Sequence, residues 1–503
     1  MAESLVLAID QGTTGTSVLA VGEDGEPRGR GYNEIQQQYP QPGWVEHDPE
    51  EIWQSVLKSA ASALEQAGGS AQEVQAIGIT NQRETVVAWD RKSLQPLHNA
   101  IVWQDRRTAA ECDRLKAAGA EDQVRKTTGL VIDPYFTATK LRWLLDHAEL
   151  PADAAAGTID SWLIARLTGG RAHLTDASNA SRTLLFDIDR GAWSQEMSRL
   201  FGVPTDLLPE VGPSSGELVR SDPAAFAGIA APIAGVAGDQ QAALFGQACL
   251  QPGMAKNTYG TGSFVLLQTG ETRVESQTGM LTTVAWLREG RLSYALEGAI
   301  FVTGAALQWL RDGLGLIKSA AEAGPLAESI PDAGGVFLVP AFAGLGAPHW
   351  DPYARGAIVG LTRGSSRAQL VRAAVEAMAY QTCDVVEAMV ADAGRALSEL
   401  RVDGGASVMD LLCQLQADLL GIPVRRPRHT ETTGLGAAFL AGRGAGVWGT
   451  DEELAALWRL DREFEPRLSR DEAQSRLNEW RRAVDRSRDW SRPENLGLRF
   501  EPR

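Results

Sequence analysis

Cysteine, histidine and lysine are all scarce in this chain. Its four cysteines, Cys112, Cys249, Cys383 and Cys413, are scattered without a Cys-x-x-Cys pair. That excludes a disulfide framework and a thiolate metal centre, and leaves buried, reduced thiols. The six histidines show no metal-ligand spacing. Lysine supplies 7 of the 48 basic residues and no Gly-Lys dipeptide occurs, which removes a Walker phosphate loop. The net charge of −16 argues against a general role on nucleic acid or anionic membranes. No apolar run reaches membrane-spanning length, and the opening Met-Ala-Glu-Ser has no basic n-region. The expectation is a soluble, untargeted, cytoplasmic protein without membrane insertion.

With 503 residues the chain exceeds what one core usually serves, so two or more domains are expected. Its 44% hydrophobic and 22% charged content is ordinary for a globular protein. The most informative stretch runs from Leu5 to Val21. An apolar strand stops on Asp10, a turn Gln11-Gly-Thr-Thr-Gly15 follows, and a second apolar run begins at Val18. Such a hairpin offers backbone N–H groups and hydroxyls to an anion, with Asp10 placed to hold a cation beside it. A Mg-bound nucleotide phosphate suits it, although an ordinary Gly-Thr hairpin would look the same. A dinucleotide fingerprint is excluded because a strand, not a helix, follows.

Asp48-Pro49-Glu50-Glu51 starts a helix that Gly68-Gly69 ends. Strands at Val74–Thr80, at Asn99–Trp103 and near Val236 run into Asn81-Gln-Arg-Glu84, Gln104-Asp-Arg-Arg107 and Gly238-Asp-Gln-Gln241. Polar clusters beyond strand ends are where open α/β sheets bind ligands. The second half repeats the theme. Ala255–Leu267 is again strand, Gly-Thr hairpin, strand, and Leu400–Asp403 ends on Gly404-Gly405. Between them Ser366–Ala393 has the period of a long helix, ended by Gly394. The chain therefore reads as α/β and internally duplicated, with a boundary near Gly246–Gly253 and a mostly helical, charged tail after Gly446. Two matched hairpins suit a clamp of the actin-like kind.

These motifs carry a resemblance over nearly the whole chain. Asp10-Gln-Gly-Thr-Thr14, Asn81-Gln-Arg-Glu84, Asn99-Ala-Ile-Val-Trp103, Gly129–Tyr135, Asp176–Arg182, Gly238–Ala243, Asn257–Gly262, Gly344–Gly356 and Arg401–Gly405 together resemble the glycerol kinases of the FGGY carbohydrate kinase family. The resemblance implies two actin-like (ribonuclease H-like) domains, residues 1–247 and 248–503, with a nucleotide and substrate cleft between them. It implies transfer of the ATP γ-phosphoryl group to glycerol, with ATP and Mg²⁺ as cofactors and glycerol as the small-molecule partner, in a homo-oligomer of two or four chains.

By the same resemblance Asp239 is the general base, although an Asp capping a helix is compatible with that position. Arg83, Glu84, Tyr135, Asp239 and Gln240 address the glycerol hydroxyls, and Trp103 and Phe264 form apolar walls. A surface ion pair remains the plain alternative for Arg83–Glu84, and a core position for Trp103. Thr13, Thr14 and Gly15 resemble phosphate-hairpin ligands, and Thr261, Gly304, Gln308, Gly405 and Met409 resemble the other side of the nucleotide site. Asp10 resembles the Mg²⁺ partner.

Three departures stand out. Ser17 replaces an Arg common in the family, Met409-Asp410 replaces an Asn pair, and Ser221–Pro232 lacks the Gly/Arg loop that binds fructose 1,6-bisphosphate in some relatives. No phosphorylatable His is evident. Competing readings are another FGGY polyol or sugar kinase, an actin-like ATPase that moves or polymerises, and a regulatory protein without catalysis.

Overall fold

Leu5–Gln11 is buried on both faces, and a strand of that kind is stable only where helices cover each side. The computed structural model describes residues 4–492 and places this segment, β1, inside a sheet of thirteen strands. In chain order the others are β2 (Gly15–Gly22), β3 (Pro27–Glu34), β4 (Val74–Asn81), β5 (Ser215–Arg220), β6 (Pro232–Gly238) and β7 (Ala255–Tyr259). They continue with β8 (Ser263–Gly270), β9 (Leu281–Arg288), β10 (Arg291–Ile300), β11 (Leu400–Asp403), β12 (Val424–Pro427) and β13 (Leu460–Phe464). Their spatial order is β13-β12-β11-β7-β8-β10-β9-β5-β6-β4-β1-β2-β3.

The duplication is visible in that order. In the first half β1, β2 and β3 form an antiparallel meander, β4 and β6 extend it in parallel from β1, and β5 closes antiparallel. In the second half β7, β8 and β10 form the meander, β11 and β12 extend it in parallel, and β13 closes antiparallel. A single pairing, Ser215 with Arg288, joins the two halves into one sheet. This is the two-domain α/β architecture of the actin-like fold.

Helix α1 (Pro49–Ala67) covers one face of the first half. Asp48 caps it by accepting the Glu50 N–H at 2.8 Å, Pro49 sits in its first turn, and Gly68 ends it at φ 63°. Its buried stripe includes Ile52, Trp53, Val56, Ala60 and Ala63. The opposite face is covered by a helix from late in the chain, Thr432–Gly444, which packs on β1, β4, β6 and the helix Asp239–Gly246. These two are α5 (Thr432–Gly444) and α2 (Asp239–Gly246), and between them in the chain lie α3 (Gly304–Asp312) and α4 (Arg367–Ala393). Only glycine permits the α2–α5 approach: a Cβ on Gly436 would lie 1.7 Å from the Ala242 carbonyl oxygen. In the second half α4 starts in a Ser366/Gln369 capping box, ends at Gly394 (φ 60°) and runs through the largest core.

The tail after Gly446 is mostly helical, in the helices Asp451–Leu457 and Arg470–Ser487 (α6), and the strand β13 between them adds to the sheet edge. Helix α6 docks through Trp480, whose ring stacks on Tyr380 at 5.4 Å and whose N–H donates to Asp384 at 2.7 Å. The strand expected over Asn99–Trp103 is only Ala100–Ile101, and Trp103 stands in the turn after it. Residues 1–3 and 493–503, the ends of the two expected domains, lie outside the described residues. All four cysteines are buried and unpaired. Among the described residues no helix is long and apolar enough to cross a membrane.

Candidate active site

Parallel strands bring their carboxyl ends to one edge. Asp10 on β1 lies beside Thr80 on β4, and Thr80 lies beside Ala237 on β6. The polar residues that follow, Asn81–Glu84 and Asp239, therefore share one rim with Asp10, as open sheets arrange their ligand sites. In the second half β7 and β11 repeat this, with Thr258 beside Asp403, so the Gly260–Gly262 hairpin and Gly404-Gly405 are neighbours.

Arg83 and Glu84 are not a surface ion pair; both are buried. The Arg83 guanidinium donates to Glu297 at 2.5 Å, to Gln241 at 3.3 Å and to the Tyr135 hydroxyl at 3.3 Å, and its Nε lies 3.0 Å from Asp239 Oδ1. Arg182 binds Glu84 at 2.6 Å and Glu297 at 2.8 Å. Two arginines and two glutamates thus alternate in a buried cluster, and Glu297 reaches it from β10 of the second half. Burial alone would raise the Glu297 carboxyl, but Arg182 and Arg83 outweigh it and hold it at about 2. Glu84 itself sits at φ 63°, a conformation that costs a β-carbon-bearing residue roughly 1–2 kcal/mol and marks strain at the polar rim.

The remaining alcohol-side residues adjoin this cluster. Tyr135 meets Trp103 edge-on at 5.6 Å, and the Arg83 guanidinium lies 5.7 Å over the Phe264 ring. Asp239 opens α2 with its side chain 31% exposed; its Oδ1 also accepts the Gln240 N–H at 2.8 Å, and Oδ2 has no partner among the described residues. Lys256 of β7 donates to the Gln240 side chain. Trp103 is half-buried, and its indole N–H donates to the Thr13 hydroxyl at 2.9 Å, tying the aromatic wall to the first hairpin. Glu297, Arg182 and Lys256 escaped sequence reasoning. Their one local signal is a charged residue inside an otherwise apolar or small-residue run, such as Leu296-Glu297-Gly298.

The nucleotide-side residues are more open. Thr14 is exposed, and so are Thr261, Gln308 and Gly405. The start of α3 is tied to the second hairpin, with the Gly304 N–H donating to Gly260 at 3.1 Å and the Ala305 N–H to Thr261 at 3.0 Å. Gln308 follows on α3. Met409 packs against Gly324, while the Asp410 carboxylate is held by Arg426 at 2.9 Å and by Arg462. The space at Gly15 belongs to the neighbouring strand: a Cβ there would lie 2.6 Å from the Asn33 carbonyl oxygen of β3. No hydrogen bond among the described residues joins the first hairpin to the second.

Ser17, paired across the hairpin with Asp10, has a buried hydroxyl without a partner. Burial, then the charges of Asp239 and Glu431, push the Asp10 carboxyl up to about 7. Asp10 forms no ion pair, and among the described residues no cluster of three His, Cys, Asp or Glu side chains is arranged to hold a metal. A lone carboxylate in negative surroundings fits a divalent cation that arrives with its own phosphate and water ligands, not one caged by protein.

The model of the FGGY family of carbohydrate kinases matches the chain in two parts, its N-terminal domain over residues 5–246 and its C-terminal domain over 255–445. The glycerol kinase of Trichlorobacter lovleyi is 57% identical over 496 residues, covering 97% of this chain and 100% of that one. That of Dechloromonas aromatica is 56% identical over 497 residues, 97% and 98% of the two chains. In structure the chain is similar to the Plasmodium falciparum glycerol kinase with ADP, with a TM-score of 0.89 at 35% identity over 97% of this chain and 98% of that one.

Proposed function

The chain belongs to the FGGY family of carbohydrate kinases, and from that membership we propose that it transfers the γ-phosphoryl group of ATP to a terminal hydroxyl of glycerol. The relatives named above are glycerol kinases over essentially their whole length, and the observation that carries the reading is the wiring of Asp239. Arg83 and the Gln240 N–H occupy its Oδ1, so Oδ2 remains to accept a proton. A hydroxyl placed there loses its proton to Oδ2 while its oxygen bonds the γ-phosphorus, and the bond from that phosphorus to the β–γ bridging oxygen breaks to release ADP. Arg83 and Tyr135 offer donors and Glu84 an acceptor to the other hydroxyls, and Trp103 and Phe264 bound a pocket for a short polyol. Thr13, Thr14, Thr261, Gly304, Gln308, Gly405 and Met409 line the nucleotide's path, and Gly15 shapes the first hairpin. Asp10 would hold Mg²⁺, which when bound spreads the charge of the phosphates.

This reading has the enzyme working in the cytoplasm on a small molecule, as a homo-oligomer; light scattering on the purified protein tests the assembly. A coupled ADP-release assay over glycerol, xylulose and gluconate tests the reaction. Glycerol is expected to give the highest kcat/KM by a wide margin, and equal use of a five- or six-carbon substrate would replace this reading with that of another sugar kinase.

A further inference from the structure

Lys256 is a buried cation with no anion beside it. Its ammonium donates to the Gln240 side-chain oxygen at 2.5 Å, to the Thr258 hydroxyl at 2.8 Å and to the Phe264 carbonyl at 3.3 Å. All three acceptors are neutral, and no carboxylate among the described residues lies within ion-pair distance. Removing an ammonium from water without a counter-charge is costly, so its retention on an inner strand asks for a task. Burial lowers its affinity for the proton to about 8, opposed by the more distant charges of Asp403 and Asp239, so it is still an ammonium at neutral pH.

An ammonium has donors only. The Gln240 atom that meets it is therefore the amide oxygen, and the two N–H bonds of Nε2 are turned the other way. Gln240 is 6% exposed, and its Nε2 finds no acceptor among the described residues. Gln240 follows Asp239 directly in the first turn of α2. The Gln240 side chain, one residue after the proton acceptor, thus has its amide orientation set from the other half of the molecule, with Nε2 left without a protein partner.

We infer that Lys256 is a positioning residue for the phosphoryl acceptor, locking the Gln240 amide so that it can only donate to an alcohol oxygen. This rests on the kinase reading given above.

The test compares wild-type, Lys256→Met, Gln240→Leu and the double variant by steady-state kinetics in glycerol and in ATP. Lys256→Met should lower kcat/KM for glycerol roughly 2–10-fold, the worth of the neutral hydrogen bond that a misdirected Gln240 amide no longer gives the alcohol, with the KM for ATP nearly unchanged. The double variant should be no worse than the poorer single one, because both remove the same donor. Multiplicative losses, or equal damage to both substrates, would assign Lys256 to scaffolding and overturn the inference. Should Lys256→Met fail to fold, Gln240→Glu supplies the check. It pairs with Lys256, preserves the packing and turns only acceptor oxygens to the alcohol, so its glycerol kcat/KM should fall comparably; unchanged turnover overturns the assignment. A wild-type protein inert toward glycerol would sink the kinase reading and this one together, whereas active wild-type with unaltered Lys256→Met kinetics sinks this one alone.

Discussion

The two groups of proposed site residues are built differently. The bank proposed for the alcohol is a buried ionic network: Arg83, Arg182, Glu84 and Glu297 are buried and bonded to one another, and Trp103, Tyr135 and Phe264 lie around them. The nucleotide bank is exposed at Thr261, Gln308 and Gly405, and its order comes from backbone bonds such as Gly304 to Gly260. The contrast follows from what each must recognise. A three-carbon polyol has little surface and few atoms, so its site has to be rigid before it arrives. A nucleotide brings charge, a ring system and many oxygens, and mobile or backbone groups suffice.

The sharpest way to break this comparison is Asp239→Asn. The kcat should fall about 10²–10⁴-fold, with glycerol and ATP binding by calorimetry retained; near-normal turnover would remove the carboxylate from its role. Next is the asymmetry in stability. Arg182→Met leaves two buried glutamates sharing one arginine and should cost roughly 3–5 kcal/mol in chemical denaturation. Gln308→Ala, on the other bank, should stay within about 0.5 kcal/mol while weakening ATP. Equal effects would erase the contrast.

A third test uses pH. His47 is buried, its Nδ1 3.3 Å from the Gln82 amide, and burial lowers its pKa from 6.5 to about 4. The unfolded chain binds the extra proton between those values, so the folded state keeps its full stability above pH 6.5 and loses up to roughly 3 kcal/mol as pH falls to about 4. His47→Gln should flatten that limb of a melting-temperature profile. His173, lowered likewise to about 4 by burial and by Arg91, keeps the remainder. An unchanged slope would clear His47. A smaller catalytic effect than that of Asp239→Asn is expected from Trp103→Phe. It keeps the wall but drops the indole bond to Thr13, which should cost about 1 kcal/mol, near fivefold in kcat/KM for ATP.

The duplicated strand pattern was legible because inner strands are continuous apolar runs that stop on Asp10, Asn81, Asp239 or Asp403. Partnerships across the halves were not. Glu297 lies more than two hundred residues from Arg83, and nothing local tells which arginine it will meet. Strand β13 was missed because Leu460-Asp-Arg-Glu-Phe464 buries only Phe464. An edge strand that is polar on its free side carries no alternation to read. The short ladder at Ala100–Ile101 left Trp103 free to turn toward Thr13, which a longer strand would have prevented.

Helix α5 seals β1, β4 and β6, yet it is made about two hundred residues after the last of them. During synthesis, the face carrying Val6, Ala8, Leu19 and Ala234 stays bare until residues 432–444 leave the ribosome. The first half therefore cannot bury that face with its final partner as it emerges, and the bare apolar surface is open to wrong partners until then.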